Sequence, residues 1–377
     1  MAGEVHQDPR QVPLPLPEPW RDGGGQLRLD AAYVPPAGPV KMTHEEYQDA
    51  LAACAEAAAE WLLHNHGDRR DIAACLRVAR EMPECSTVYL TPKHTCGYEA
   101  HDHARVALRC DCRVCIYCQQ VASRTFQAAG FHFVATHSVM RVKGHGGVSR
   151  GYYLSTTTEK KPDLLTVEGI CASVKRVKKA SSNKWKHVAR FLPREKDGRY
   201  RKYPGKCSDA GMVSHIEFGP HGNIHAHELR YGAHHYSEDL RAAAGGVWTH
   251  DSRIKQDPRG ARGGVIEALK YVTKGSTKPG RREFVHPTAA FLFWYATRGM
   301  RLVEGYGTMR GLVRQAEEAW QEEKQGLVET DEDKLASMGP CPQCGESHGW
   351  TWERVTHPRC YVKPKPPPGG TAHGPGV

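Results

Sequence analysis

At 377 residues the chain has room for two or three domains and a real core. Hydrophobic residues make up 39%, mean hydropathy is −0.60, and no stretch approaches the ~20 apolar residues of a membrane span, so a membrane role is not expected. The net charge of +10 favours a polyanionic partner, most simply nucleic acid. No charged-then-apolar leader opens the sequence, and the expected location is cytoplasmic. There are 13 cysteines, an odd number, and several lie at metal-ligand spacing, which in a reducing compartment points to zinc rather than disulfides.

Residues 1–40 are rich in Pro and Gly and read as a disordered tail. A helical region at 41–83 begins with a capping box, Thr43 with Glu46, and continues with Tyr47, Leu51, Cys54, Ala58 and Leu62 at helical spacing. A second helix is expected over Arg70–Glu81, stopping before Pro83. Residues 84–126 hold a cysteine cluster. Cys110, Cys115 and Cys118 have C-x4-C-x2-C spacing, and Cys96 upstream completes the favoured zinc tetrahedron, with Cys112, His101 and His103 as competitors.

Phe126–Val142 reads as a strand, or as a short helix followed by a strand. The stretch GYYLSTTTEKK, from Gly151, reads as a strand. Leu164–Lys179 is an amphipathic helix with a basic face. Lys175, Arg176, Lys178, Lys179, Lys184 and Lys186, with Trp185 and Phe191 interleaved, suit single-stranded nucleic acid, where bases stack and phosphates meet cations. A solvated face with inward aromatics fits the same residues equally well.

The stretch VSHIEFGPHGNIHAHELRYG, from Val213, reads as two strands, Val213–Phe218 and Asn223–Tyr231, around a Gly-Pro-His-Gly turn. Alternation places His225 and His227 on one face. Closure about His221 sets Glu217 opposite His225. Two imidazoles and a carboxylate then converge, a set suited to a divalent ion with open positions. With 22 histidines in the chain, His-x-His alone says little, and it is the facing glutamate that gives it weight.

Ser237–Ala244 reads as a helix and 245–264 mostly as loop. GVIEALKYVTKG, from Gly264, is a helix stopped by Gly275. Its Tyr271 and Lys274 share a face. A tyrosine phenol can serve as a phosphoryl nucleophile and a lysine can steady the charge, although a half-buried helix tyrosine also fits. An aromatic helix and an edge strand follow within Phe284–Leu312. A charged helix or linker is expected at 313–338 and a zinc-ribbon-like module at 339–362. The module's ligands would be Cys341, Cys344, Cys360 and either His357, which is favoured, or His348. Residues 363–377 form a second Pro/Gly-rich tail.

In order, YYLSTTT, GNIHAHELRYG and ALKYVTKG resemble the three motifs of single-tyrosine rolling-circle replication initiators of the HUH endonuclease superfamily. The upstream RCDCRVCIYCQQVASR is similar to the cysteine cluster that precedes this domain in many plasmid and phage initiators. The resemblance implies an α+β fold with a five-stranded antiparallel sheet flanked by helices over 127–312, and small zinc modules before and after. It implies Mg2+ or Mn2+ on His225, His227 and Glu217, and Tyr271 as the nucleophile that nicks single-stranded or extruded origin DNA. The products would be a 5′-phosphotyrosyl link and a free 3′-hydroxyl that primes synthesis. DNA is the implied partner. No Walker-type P-loop is present, so a host helicase is implied beside the host polymerase. A transposase or mobilisation relaxase on the same scaffold, and a non-catalytic zinc-dependent nucleic-acid-binding protein, are the alternatives.

Overall fold

The structure, a computed structural model, describes residues 40–85, 88–99, 106–107, 110, 112–136, 150–159, 166–191, 198–199, 202, 210–219, 222–253, 263–266, 268–269, 282–328 and 338–356. The chain opens with β1 (Val40–Met42), α1 (His44–His64), α2 (Arg69–Glu81), β2 (Val88–His94), β3 (Val106–Ala107) and α3 (Ile116–Thr136). Then follow β4 (Arg150–Glu159), α4 (Val167–Arg190), β5 (Gly211–Phe218), β6 (Ile224–Ala233), α5 (Ser237–Ala243) and β7 (Trp248–Arg253). A short helix with described residues 263–266 and 268 (α6) is followed by β8 (Arg282–Phe284), α7 (Pro287–Ala296), β9 (Val303–Gly307), α8 (Arg310–Val328) and β10 (Trp350–Thr356). The class is α+β with antiparallel sheets, as expected. No helix among the described residues is long and apolar enough to cross a membrane.

The capping box at the start of α1 forms: Glu46 N donates to Thr43 Oγ1 at 3.1 Å, and Thr43 N to Glu46 Oε2 at 2.7 Å. Tyr47, Leu51, Cys54, Ala58 and Leu62 then fall on the buried side of α1. Thr43→Ala removes the cap and is expected to cost about 1 kcal/mol, read from the denaturation midpoint. Tyr295 on α7 donates from its hydroxyl to Asp71 Oδ2 at 2.5 Å, and Arg298 pairs with the same carboxylate, so α2 is tied to α7.

Five antiparallel strands in the order β7-β4-β6-β5-β9 form the sheet that carries the site. The hairpin β5–β6 turns where the Gly-Pro-His-Gly signal lies. Gly222 has φ +72°, a backbone conformation that favours glycine, and a Cβ on Gly219 would strike Asn223 Oδ1. Register follows from the alternation, with Glu217 opposite His225 and His215 opposite His227. Alternate residues of β6 face two different cores. Ile224 and Ala226 join Ile216 and Phe218 in a core shared with α1, α4 and α7. Leu229 and Tyr231 join Tyr152 and Val213 in a second core with α3, α6 and α8.

Several elements differ from expectation. Residues 248–253, read as loop, form β7 beside β4, because β4 offers an edge that Trp248–Arg253 can pair with despite the surrounding glycines. Phe126–Thr136 continues α3 as helix, with Phe133 buried in the second core. The described part of the charged helix is α8, and its Leu312, Val313 and Ala316 are buried against the sheet domain rather than spanning a linker. The helical pair α1–α2 and the cysteines at 110–118 share one core with the sheet's α4 side. The expected zinc-ribbon stretch contributes β10, which pairs antiparallel with β2 to give a sheet in the order β10-β2-β3. The two ends of the chain therefore build that sheet together.

Candidate metal centre

His225 and His227 stand on β6, and Glu217 faces them from β5. The His225 and His227 Nε2 atoms lie 3.1 Å apart. Glu217 Oε2 lies 2.9 Å from His227 Nε2 and 3.5 Å from His225 Nε2. Two ligands each ~2.1 Å from one ion are ~3.0 Å apart at a right angle and ~3.4 Å at the tetrahedral angle. The three observed edges match one ion touched by all three side chains, with its remaining positions open.

All three side chains are buried, and neither Glu217 oxygen finds a well-aligned hydrogen-bond donor, short as the contacts to the imidazoles are. A buried carboxylate in that state is costly, and a cation between the three groups relieves it. Burial alone would raise the Glu217 carboxyl. Close contact with the His225 and His227 imidazoles outweighs burial and holds it well below the usual carboxylate range, so it remains an anionic ligand.

The surroundings of the triad come from three elements. Thr156 and Thr158 of β4 sit opposite His227 and His225, on the same face. His215, 4% exposed, lies one register step further along β5. Burial pushes its imidazole down to about 4, leaving it neutral at pH 7, and its ring hydrogen-bonds the backbone of Ala268 on α6. Val265, Ala268 and Leu269 pack α6 onto this face of the sheet. The end of α6 is pinned, since Ser123 Oγ donates to the Leu269 carbonyl at 2.6 Å. At Gly130 of α3 an added Cβ would come within 2.6 Å of Val265 Cγ1, so that glycine sets how closely α3 and α6 approach. Tyr271 and Lys274 lie outside the described residues. They follow Leu269 by two and five residues in the sequence, and Leu269 itself packs on the side of the sheet that carries His225 and His227.

The opposite face of β6 corrects one expectation. Lys184, expected to touch DNA, is 2% exposed. Its Nζ pairs with Glu228 and donates to Ser155 Oγ at 2.9 Å. Glu228 Oε1 also accepts from Ser181 at 2.6 Å and from Thr157 at 3.1 Å. Lys184 belongs to the inward side of amphipathic α4, while the basic run in the sequence mixes inward and outward lysines. Lys184→Met is expected to lose about 3–5 kcal/mol in urea denaturation, because Glu228 is left buried and unpaired. Lys186→Met, on the exposed side, should stay within about 0.5 kcal/mol of the unsubstituted chain. Lys175, Lys179 and Lys186 are exposed, and Arg176 is exposed while paired with Glu159. Lys178 is half-buried and held by Glu304 and the Arg301 carbonyl. Trp185 is half-buried and stacks on Tyr306, with ring centroids 6.0 Å apart.

The cysteines regroup. Cys85, Cys110, Cys115 and Cys118 converge in the core. Their sulfurs are 3.5 Å apart for Cys85–Cys118 and Cys85–Cys115, and 3.7 Å for Cys110–Cys118. Cys96, expected there, is instead 3.6 Å from Cys341, in a group with His94 and Cys344. The physical reason is β2. Its 7 residues, at ~3.3 Å each, carry the chain ~23 Å between Cys85 and Cys96, so only one of the two can reach the first quartet. Cys341 and Cys344 accordingly take partners from the start of the chain. His357 and Cys360, like His101 and His103, lie outside the described residues, and His348 gives its carbonyl rather than its ring to the site. Cys112 is buried and its thiol is pushed up to about 12 by burial, outside either group. These clusters can hold metal ions such as zinc. No protein-family model, curated protein or solved structure matches the chain.

Proposed function

We propose that the chain is a site-specific DNA nickase and strand transferase of the HUH kind, acting as a rolling-circle replication initiator. The observation that carries this reading is the convergence of Glu217, His225 and His227 on two neighbouring inner strands, with α6, the approach to Tyr271, packed on the same face. Thr156 and Thr158 line that face beside the imidazoles. Mg2+ or Mn2+ held by the three ligands would polarise a scissile phosphate. The Tyr271 oxygen would form the new bond to phosphorus while the bond to the 3′-oxygen breaks. The phenol gives up its proton and the departing 3′-oxygen takes one up. Lys274, three residues further on in the sequence, would steady charge at the phosphate. Lys175, Arg176, Lys179 and Lys186 on α4 would track the backbone of DNA, with a host helicase and polymerase as further partners.

Labelled single-stranded DNA carrying the replicon's own origin, incubated with Mn2+, tests this. The expected result is a covalent adduct that disappears with EDTA and in Tyr271→Phe. Tight, salt-sensitive binding with no adduct would favour a zinc-dependent DNA-binding protein. An adduct that persists in Tyr271→Phe would keep the class and remove Tyr271 as its nucleophile.

A further inference from the structure

We propose that His94, Cys96, Cys341 and Cys344 bind one zinc ion that fastens the C-terminal segment 338–356 onto residues 88–99. The donor atoms are placed for a tetrahedron. With Zn–S near 2.3 Å and Zn–N near 2.05 Å, a sulfur–sulfur edge is ~3.8 Å and a sulfur–nitrogen edge ~3.6 Å. Cys96 Sγ and Cys341 Sγ are 3.6 Å apart, and Cys344 Sγ is 3.5 Å from His94 Nδ1. The sulfur spacing is far beyond the ~2.05 Å of a disulfide.

The ligating nitrogen is fixed by the other ring nitrogen. His94 Nε2 lies 2.6 Å from the His348 carbonyl, so it carries the proton and donates it. That leaves the Nδ1 lone pair on the side of the group, where Cys344 Sγ lies 3.5 Å away and Cys96 N donates to it at a long 3.3 Å; a proton on Nε2 with Nδ1 free to ligate is the usual arrangement behind a metal-bound imidazole. Trp350 packs edge-on against the His94 ring at 5.2 Å and holds its plane. Gly349, φ +101°, lets the chain pass there, since a Cβ would lie 2.6 Å from Thr95 Oγ1 and 3.3 Å from His94 Nε2. On the other side, Cys341–Cys344 forms a knuckle: Gly345 N donates to the Cys341 carbonyl at 2.7 Å, and the backbone amides of Gln343 and Cys344 point at the Cys341 sulfur. Three thiolates and an imidazole in a tetrahedral set select zinc among common ions. Each thiol releases its proton on binding.

Among the described residues, Cys341 and Trp350 are the buried apolar side chains here, with Tyr98 and Met338 packed against them. An ion held by both segments ties together stretches 250 residues apart in the chain. β10 pairs with β2 from Trp350↔His94 to Thr356↔Val88, and the proposed ion sits at the end of that ladder where the register starts.

Zinc content of the purified full-length chain, read by elemental mass spectrometry, tests the assignment. Cys96 and Cys344 are exposed, so their replacement disturbs no core. Cys96→Ser with Cys344→Ser is expected to hold one zinc equivalent fewer than the unsubstituted chain. His357→Ala with Cys360→Ser should lose none. An unchanged zinc content in the first variant, or a loss of one equivalent in the second, overturns the assignment. X-ray absorption on the unsubstituted chain provides a readout independent of the variants. Two ions, one with four sulfurs and one with three sulfurs and a nitrogen, average about 3.5 sulfurs per zinc. An all-sulfur average removes His94 from the site.

Discussion

Replacing His225 or His227 by alanine is expected to lower Mn2+-dependent cleavage of origin DNA at least ~10^3-fold while leaving the folded chain intact. Lewis-acid stabilisation at a phosphate is worth several kcal/mol, and each ~1.4 kcal/mol is a factor of ten in rate. The more telling comparison is with stability. Glu217 and the two imidazoles are buried together, with the Nε2 atoms 3.1 Å apart. An ion bound there adds its binding free energy to the folded state. Mn2+ is therefore expected to raise the Tm of the unsubstituted chain, and Glu217→Gln to abolish that rise. Differential scanning calorimetry with and without Mn2+ reads the difference. If Mn2+ leaves the Tm of the unsubstituted chain where it is, the triad is a structural hydrogen-bond cluster and the nickase reading loses its support.

The candidate centre was legible in the sequence because every signal for it is local. Four turn residues, two alternating strands and the resulting register are enough to bring Glu217 opposite His225. What was not legible depends on long-range pairing. β7 lies in a glycine-flanked, charged stretch, and only the free edge of β4 makes it a strand. Lys184 reads as one more cation in a basic run until Glu228, on a strand well downstream, is seen to face it. The cysteine groups failed for the same reason. Cys85 and Cys96 are equally plausible upstream ligands by spacing, and the choice between them rests on β2 extending between them and on β10 returning to pair with it. His94 carries no sequence signal beyond a His-x-Cys step. Its role needs the His348 carbonyl, from the far end of the chain, behind it.

That choice gives the second large effect. Cys85→Ser is expected to lose one zinc equivalent and to lower Tm by more than ~10 °C, or to leave the chain insoluble. The four sulfurs of Cys85, Cys110, Cys115 and Cys118 lie inside the core that α1 and α2 share with the sheet, among Tyr47, Leu51, Met82 and Val114. Gln48 donates from Nε2 to Cys115 Sγ at 3.4 Å, so even the polar neighbour is turned to the sulfurs. A structural zinc site contributes ~10–16 kcal/mol of binding free energy to folding, as much as the whole net stability of a typical domain, ~5–15 kcal/mol. Loss of one ligand weakens it by several kcal/mol, and each kcal/mol moves Tm by roughly 2–4 °C in a chain of this size class. Cys75→Ala is the control, since Cys75 is as fully buried as Cys85 but stands outside the quartet. It should keep all its zinc and lose only the packing of one small side chain. If Cys85→Ser instead keeps its zinc and its Tm, while Cys96→Ser loses both, then Cys96 completes the core site. The pairing of β10 with β2 would then have to be held by something other than a metal.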